Sequence, residues 1–289
     1  MLISEQFDVL LENLRLENLD NLAEKFKTIT KQLNTDFRNY PSDSAYSKLV
    51  GPVGRGTAIK TTHTVEMYIR LPGSLYDKYQ TLENNNGQLQ MLKDVQASVL
   101  NAYPAVDATI QENLVSVPFP EMIFQITPIV QLDSGDYVCP DPSQNGSWRQ
   151  PTQLLEVEAI NQANQAYKRK VKDLARIAHV WRETWQVPLS PILLDALILH
   201  FLDSGAYNDA LPFHHSMADF LNYLAQQDPS RQSWPAMGSQ APLQRTGSFE
   251  APTRESWVIA QKALDAEAAG KLEEAAAAWK KIFGPYYPD

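Results

Sequence analysis

The sequence predicts an α+β protein, with a mixed sheet in its first half and a helical second half. Three observations carry this expectation. Residues 64–71 alternate apolar and polar side chains with period two. LVSVPFP and EMIFQITPIVQL are two further strand-like runs. Beyond residue 153 most of the chain has apolar positions three or four apart, which is the period of a helix buried on one side.

Taken in order, Leu19, Leu22, Phe26, Ile29, Leu33 and Phe37 mark an amphipathic helix over residues 19–37. Pro41 and the polar run NYPSDSAYS end it in a loop. GRGTAIKTTHTVEMYIRLP, Gly54 to Pro72, is a glycine-bearing turn running into a strand. Val65, Met67, Ile69 and Leu71 lie on one face of that strand, with Thr64, Glu66, Tyr68 and Arg70 on the other. NNNGQLQMLKDVQASVLNAYP reads as a turn and then a helix, with Leu89, Leu92, Val95, Val99 and Leu100 as its apolar stripe. The two strand-like runs follow, with the spacing of a hairpin. DSGDYVCPDPSQNGSWRQP reads as loop. Helical patterns cover Gln153 to about Trp185 and Pro191 to Leu202. Residues 228–254, rich in Pro, Ser, Gln and Gly, read as an exposed connection. A final alanine-rich helix breaks near Gly270. The expected division is 1–150 for the sheet-bearing part and 151–289 for the helical part.

The 289 residues are 44% hydrophobic and 20% charged, the composition of a globular protein. No apolar run approaches the roughly 18 residues of a membrane span, and the N-terminus has no basic stretch of a secretion signal. With a single cysteine, Cys139, there is neither an internal disulfide nor a Cys-rich zinc site. A cytoplasmic protein is expected. The net charge of −9 argues against non-specific binding to long DNA, which needs clustered cations. The basic run YKRKVKDLAR, Tyr167 to Arg176, is either a solvated helix face or a phosphate-facing edge.

Several motifs, in a fixed order, resemble the bacterial cGAS/DncV-like nucleotidyltransferases (CD-NTases) of the polymerase-β-like superfamily. The family pattern G-S-x-x-R-G-T-A-I-K, then D-[IV]-D and a strand ending in L-P, is matched by Gly51, Arg55, Gly56, Thr57, Ala58, Ile59, Lys60, Val65, Leu71 and Pro72. Pro128 fits a strand-end proline. Tyr137, Pro140, Asp141, Gly146, Trp148 and Pro151 fit a Y-x-x-P-D, G-x-W, P segment. Arg176 and Trp181 fit the R-x-x-[KR]-x-W helix, and Trp279, Ile282, Phe283, Gly284, Tyr287 and Pro288 fit the C-terminal ending. The resemblance implies a bilobed nucleotidyltransferase fold with a cleft between a mixed-sheet lobe and a helical lobe. It also implies the joining of nucleoside triphosphates into signals of phage infection.

That chemistry uses two metal ions about 4 Å apart, held by carboxylates that bridge them. Two aspartates at i and i+2 of a strand face the same way, and a third carboxylate on a neighbouring strand completes the set. Thr64 and Glu66 occupy the first two places and Gln125 the third. Pro52 stands where a phosphate-binding serine is expected, and His179 where a Lys or Arg would meet the triphosphate. Glu66 is the one candidate metal ligand left. Arg55, Gly56, Thr57, Lys60 and His179 are the candidate phosphate-binding residues.

The expectation is therefore a pseudo-nucleotidyltransferase in bacterial antiphage defence, without a resident cofactor. It would act by binding a protein partner, such as an active relative or an effector, or a nucleotide. The alternatives are a divergent active enzyme, using Mg²⁺ or Mn²⁺ to make cyclic or linear oligonucleotides, and a nucleotide sensor or sink. Asp195, in the apolar run PILLDALILHFL, reads as a hydrogen-bonded structural acid. His63 and His179 are not expected to pair. Nor are His214 and His215 expected to share a metal, because adjacent side chains point apart.

Overall fold

The computed structural model describes residues 1–82, 86–143 and 146–289. The turn expected at Asn84 and Asn85, and Gln144 and Asn145 of the expected loop, lie outside the described residues. The chain forms two compact units, one of residues 17–54 and 62–154, the other of 1–16, 55–61 and 155–289. This differs from a single cut at residue 150: the chain's first 16 residues and the segment 55–61 belong with the helical unit. The reason is burial. In α1 (Ile3–Asn13), Ile3, Phe7 and Leu10 are fully buried in the helical core, as are Leu14 and Ile59. The Lys60 amide also donates to the Leu14 carbonyl at 3.0 Å.

In the sheet-bearing unit, α2 (Leu19–Arg38) and α5 (Gly87–Ala102) pack on a seven-stranded mixed sheet. The strands are β1 (Ser47–Val50), β2 (Thr64–Leu71), β3 (Thr109–Gln111), β4 (Leu114–Pro118), β5 (Ile123–Gln131), β6 (Tyr137–Asp141) and β7 (Ser147–Arg149). The order is β1-β2-β5-β4-β3, with β6 on β5 and β7 on β6. β2 and β5 run parallel, and the other pairs are antiparallel. Two short helices, α3 (Gly51–Arg55) and α4 (Ser74–Gln80), flank β2 in sequence. Val65, Met67, Val95, Val99, Phe124 and Ile126 form much of the core. The expected helix over 19–37, the strand 64–71 and the β4–β5 hairpin are all present.

The stretch expected as loop over residues 133–151 instead contains the β6–β7 pair, in register Cys139↔Arg149. Its prolines and acids disguise the alternation. Val138 pairs with Val130, so β6 extends the hydrogen bonding of β5.

The helical unit holds α1, α6 (Gln153–Ala166), α7 (Val171–Thr184), α8 (Pro191–Asp203), α9 (Phe213–Ala225), α10 (Glu250–Ala268) and α11 (Leu272–Phe283). The single helical pattern read from residue 153 is two helices. The break between α10 and α11 falls at Gly270, whose φ of 75° is a conformation that glycine adopts without steric cost. The connection 228–254 is not simply exposed. It contains the paired strands β8 (Ser233–Pro235) and β9 (Pro242–Gln244), then the start of α10. Trp234, Met237 and Phe249 from this stretch are at most 5% exposed. Three large apolar side chains, spread through a polar sequence, tie it to the core. Among the described residues, no helix is long and apolar enough to cross a membrane.

Candidate active site

Glu66 and Gln125 are register partners on the parallel strands β2 and β5, and Thr64 pairs with Ile123 two residues earlier. Strand alternation sends Val65, Met67, Phe124 and Ile126 into the core, each no more than 2% exposed. Thr64, Glu66 and Gln125 therefore share the opposite face, where all three are half-buried. On the far side of Gln125, Ser116 of β4 is its register partner. The three places read from the sequence are thus brought together, and they hold one carboxylate, one hydroxyl and one amide.

One oxygen of the Glu66 carboxylate lies close to Gly51 and the other accepts a hydrogen bond. Gly51, at the start of α3 with φ +59°, lies so close that a Cβ there would fall 2.2 Å from Glu66 Oε1. On the other side, Gln153 Nε2 donates a hydrogen bond to Oε2. Gln153 was not a sequence candidate. It is one of many polar residues between the two halves, and only the placement of the first turn of α6 gives it a role.

Magnesium takes hard, anionic oxygens in near-octahedral geometry. This donor set has a single carboxylate, already bonded to an amide N–H, and otherwise neutral groups. Among the described residues, Glu66 belongs to no group of three or more His, Cys, Asp or Glu side chains close enough to hold an ion. The residues present do not fit a two-ion centre that must balance a charge of +4.

Three of the residues expected to face phosphate lie together within the helical unit. Arg55, Thr57 and His179 are 2%, 1% and 4% exposed, and all three point at Asp195, which is fully buried. Arg55 Nε donates to Asp195 Oδ2 at 2.8 Å, and Thr57 Oγ1 donates to the same oxygen at 2.8 Å. His179 Nε2 lies 2.8 Å from Asp195 Oδ1. Arg55 Nη1 also reaches Glu156 Oε2 at 3.2 Å. Burial by itself would raise the Asp195 pKa. The charges and hydrogen bonds of His179 and Arg55 outweigh it and hold the pKa down to about 2. Asp195 is a structural acid, as expected. The structure places polar atoms of all three side chains expected to face phosphate on this one buried carboxylate. A buried carboxylate needs such partners, and sequence spacing could not reveal them across 140 residues.

Of the remaining candidates, Gly56 has φ +74°, and its carbonyl accepts from Arg176 Nε at 3.2 Å. Lys60 is half-buried, with its ammonium 5.0 Å from the centre of the Tyr286 ring. The basic run reads as structural. Lys168 pairs with Asp209, Lys170 donates to the carbonyls of Asp209 and Leu211, and Arg176 pairs with Asp173.

The two adjacent histidines do not point apart. Their ring centres are 4.6 Å apart, and their ligand atoms lie with those of Glu267 inside 4.8 Å. At the first turn of α9 both rings lean toward the end of α10. His214 Nε2 sits 3.1 Å from Glu267 Oε2.

Comparison with known proteins agrees with the fold. Residues 1–164 match the family model for the Second Messenger Oligonucleotide or Dinucleotide Synthetase domain. A probable cyclic nucleotide synthase of Bacillus cereus (strain VD146), IK1_05630, is 21% identical over 81% of this chain and 74% of its own length. Among solved structures, Escherichia coli MS115-1 CdnC, in complex with HORMA-deltaN, is similar with a TM-score of 0.73. It is 15% identical and covers 99% of this chain and 98% of its own. Vibrio cholerae DncV in its apo form has a TM-score of 0.65 at 13% identity, covering 84% of this chain and 69% of that one. With a polymerase-β-like fold and the family model matching more than half its length, the chain belongs to the second-messenger oligonucleotide or dinucleotide synthetase family, the CD-NTases.

Proposed function

We propose that this CD-NTase is a pseudo-nucleotidyltransferase, which keeps the fold and acts by binding rather than by phosphoryl transfer. One observation carries this reading: Glu66 stands alone as a carboxylate beside Gln125 and Thr64, with Gln153 donating to it. A second carboxylate to bridge two metal ions is missing from the places where the fold would present it, so neither nucleophile activation nor triphosphate holding has its anionic ligands. The inward turn of Arg55, Thr57 and His179 supports the same conclusion, because their polar atoms serve Asp195.

The binding role lies in bacterial antiphage defence, with a protein such as an active relative or an effector as the partner. The solved complex of the similar E. coli CdnC with HORMA-deltaN supports a protein partner for this fold. The test is incubation of the full chain with all four labelled ribonucleoside triphosphates, in Mg²⁺ and separately in Mn²⁺, beside a Glu66→Ala control. No oligonucleotide product in either metal is expected. Product that disappears in the control would replace this reading with a divergent enzyme built on Glu66.

A further inference from the structure

At the end of β2 farther from Thr64 the fold brings two guanidinium groups together, with no acidic side chain paired to either among the described residues. Arg38 is the last residue of α2 and Arg70 the seventh of β2. Both stand over one ring, that of Tyr46, with Arg38 Cζ at 3.8 Å from its centre and Arg70 Cζ at 4.9 Å. Among the described residues, neither arginine forms an ion pair. This is unusual in a chain of net charge −9, where acids outnumber bases 34 to 25. Both side chains are half-buried, so water screens their repulsion only in part. Burial, and then the neighbouring Arg70, pull the pKa of Arg38 below its usual value, although Tyr46 acts the other way.

The arrangement is held in place. Arg38 Nη2 donates to the Arg70 carbonyl at 2.8 Å, and Arg70 Nη1 donates to Gln131 Oε1 at 3.1 Å. The Arg70 amide donates to the Tyr46 carbonyl at 2.8 Å, which fixes Tyr46 at the sheet edge with a left-handed φ of +65°. Upstream, buried Asn34 donates to the carbonyls of Ser42 and Ala45 and anchors the loop leading to Tyr46. The two forks, Tyr46, Gln131 and Gly73 border a cavity of about 250 Å³.

From this we infer that the cavity at the end of β2 is a binding site for a small phosphate monoester, held by Arg38 and Arg70. A guanidinium has five N–H donors in a planar fork suited to phosphate oxygens, and each arginine here commits few of them to the protein. A monoester near neutral pH carries between one and two negative charges, which answers two cations. The cavity has room for the phosphate and a sugar-sized remainder. The Tyr46 ring is already covered by guanidinium, so recognition centres on the phosphate and not on a stacked base. This site is four residues along β2 from Glu66 and does not depend on whether Glu66 is silent.

The experiment is isothermal titration of the full chain with inorganic phosphate, ribose 5-phosphate and AMP at fixed ionic strength, with glutarate as a dianion lacking phosphorus. Saturable one-to-one binding of the phosphate probes is expected, with glutarate at least about tenfold weaker. Arg70→Gln and Arg38→Gln should each weaken phosphate binding about tenfold or more, the usual scale for losing a charged hydrogen-bond donor. Arg254→Gln, on α10, should leave it unchanged. Arg70→Lys keeps the charge but not the fork, and it should weaken binding while the thermal midpoint stays near wild type. Absence of saturable binding by the wild-type chain, equal binding of glutarate, or indifference to both Gln variants would overturn the assignment. Tighter binding of ribose 5-phosphate than of AMP would support a sugar phosphate as the source, and the reverse order a nucleotide.

Discussion

Glu66 on β2 and Gln125 on β5 are register partners, side by side on the face of the sheet away from its core. The relationship places an amide where the fold could present a second carboxylate. Gln125→Glu would set two like charges directly opposite each other, a cost of roughly 0.2–1 kcal/mol in a sheet. The variant should melt below wild type in EDTA and recover when Mg²⁺ is added, whereas wild type should not respond to Mg²⁺. Thermal melts with and without the ion check this, and an equal Mg²⁺ response in both proteins would mean that Gln125 is not what limits metal binding.

Gly51 and Glu66 are coupled by contact, since an added Cβ would fall 2.2 Å from Glu66 Oε1. Gly51→Ala should cost about 1–3 kcal/mol, from the left-handed backbone and the clash together. In a Glu66→Ala background the clash partner is gone, and the cost should shrink by at least about 0.5 kcal/mol. A double-mutant cycle by urea denaturation measures the difference. Additive losses would assign the whole effect to backbone strain.

Asp195 is fully buried and shared by Arg55, Thr57 and His179. Asp195→Ala strands those partners and should cost about 3–5 kcal/mol. Acid provides a second reading of the same group. Its folded pKa of about 2 lies below the ordinary value of 3.8. The stability it confers is therefore fully present above about pH 4 and is lost as the pH falls through 2. The loss amounts to about 2 kcal/mol. Unfolding curves of wild type and Asp195→Asn across pH 5 to 2 should converge toward the acid end.

His214 behaves in the opposite part of the scale. Burial, followed by the neighbouring His215, lowers its pKa to about 4. The unfolded chain takes up this proton near pH 6.5, but the folded chain does not until near 4, so stability falls as the pH drops through that window. Between pH 7 and pH 5 the loss should be about 2 kcal/mol. His214→Phe, in a site already lined by Phe7, should flatten that part of the profile. An unchanged slope would assign the acid sensitivity to other groups.

Much of the fold is legible in the sequence, because period-two and period-3.6 patterns report burial one element at a time. Strand β2 spans Thr64 to Leu71 as the alternation predicts, except that Tyr68, on the polar face, is buried as well. What escaped were elements whose burial depends on a few side chains in polar surroundings, such as Trp234 in β8 and Val138 in β6. Helix α1 escaped as well, although Ile3, Phe7, Leu10 and Leu14 recur three or four apart; what nothing local could say is that they join a core formed by residues far along the chain.

The site divides in the same way. By itself the sequence determined the identity of the groups at the three carboxylate places, Thr64, Glu66 and Gln125. Strand periodicity also put Thr64 and Glu66 on one face, whereas the parallel pairing of β2 with β5 brought Gln125 beside them. Only the tertiary structure decided what the neighbouring polar side chains do. Arg55, Thr57 and His179 close on Asp195, Gln153 reaches Glu66, and Arg38 meets Arg70 over Tyr46. The physical reason is that backbone periodicity is local, whereas the pairing of a buried or half-buried charge is set by whichever group the fold brings within about 3 Å.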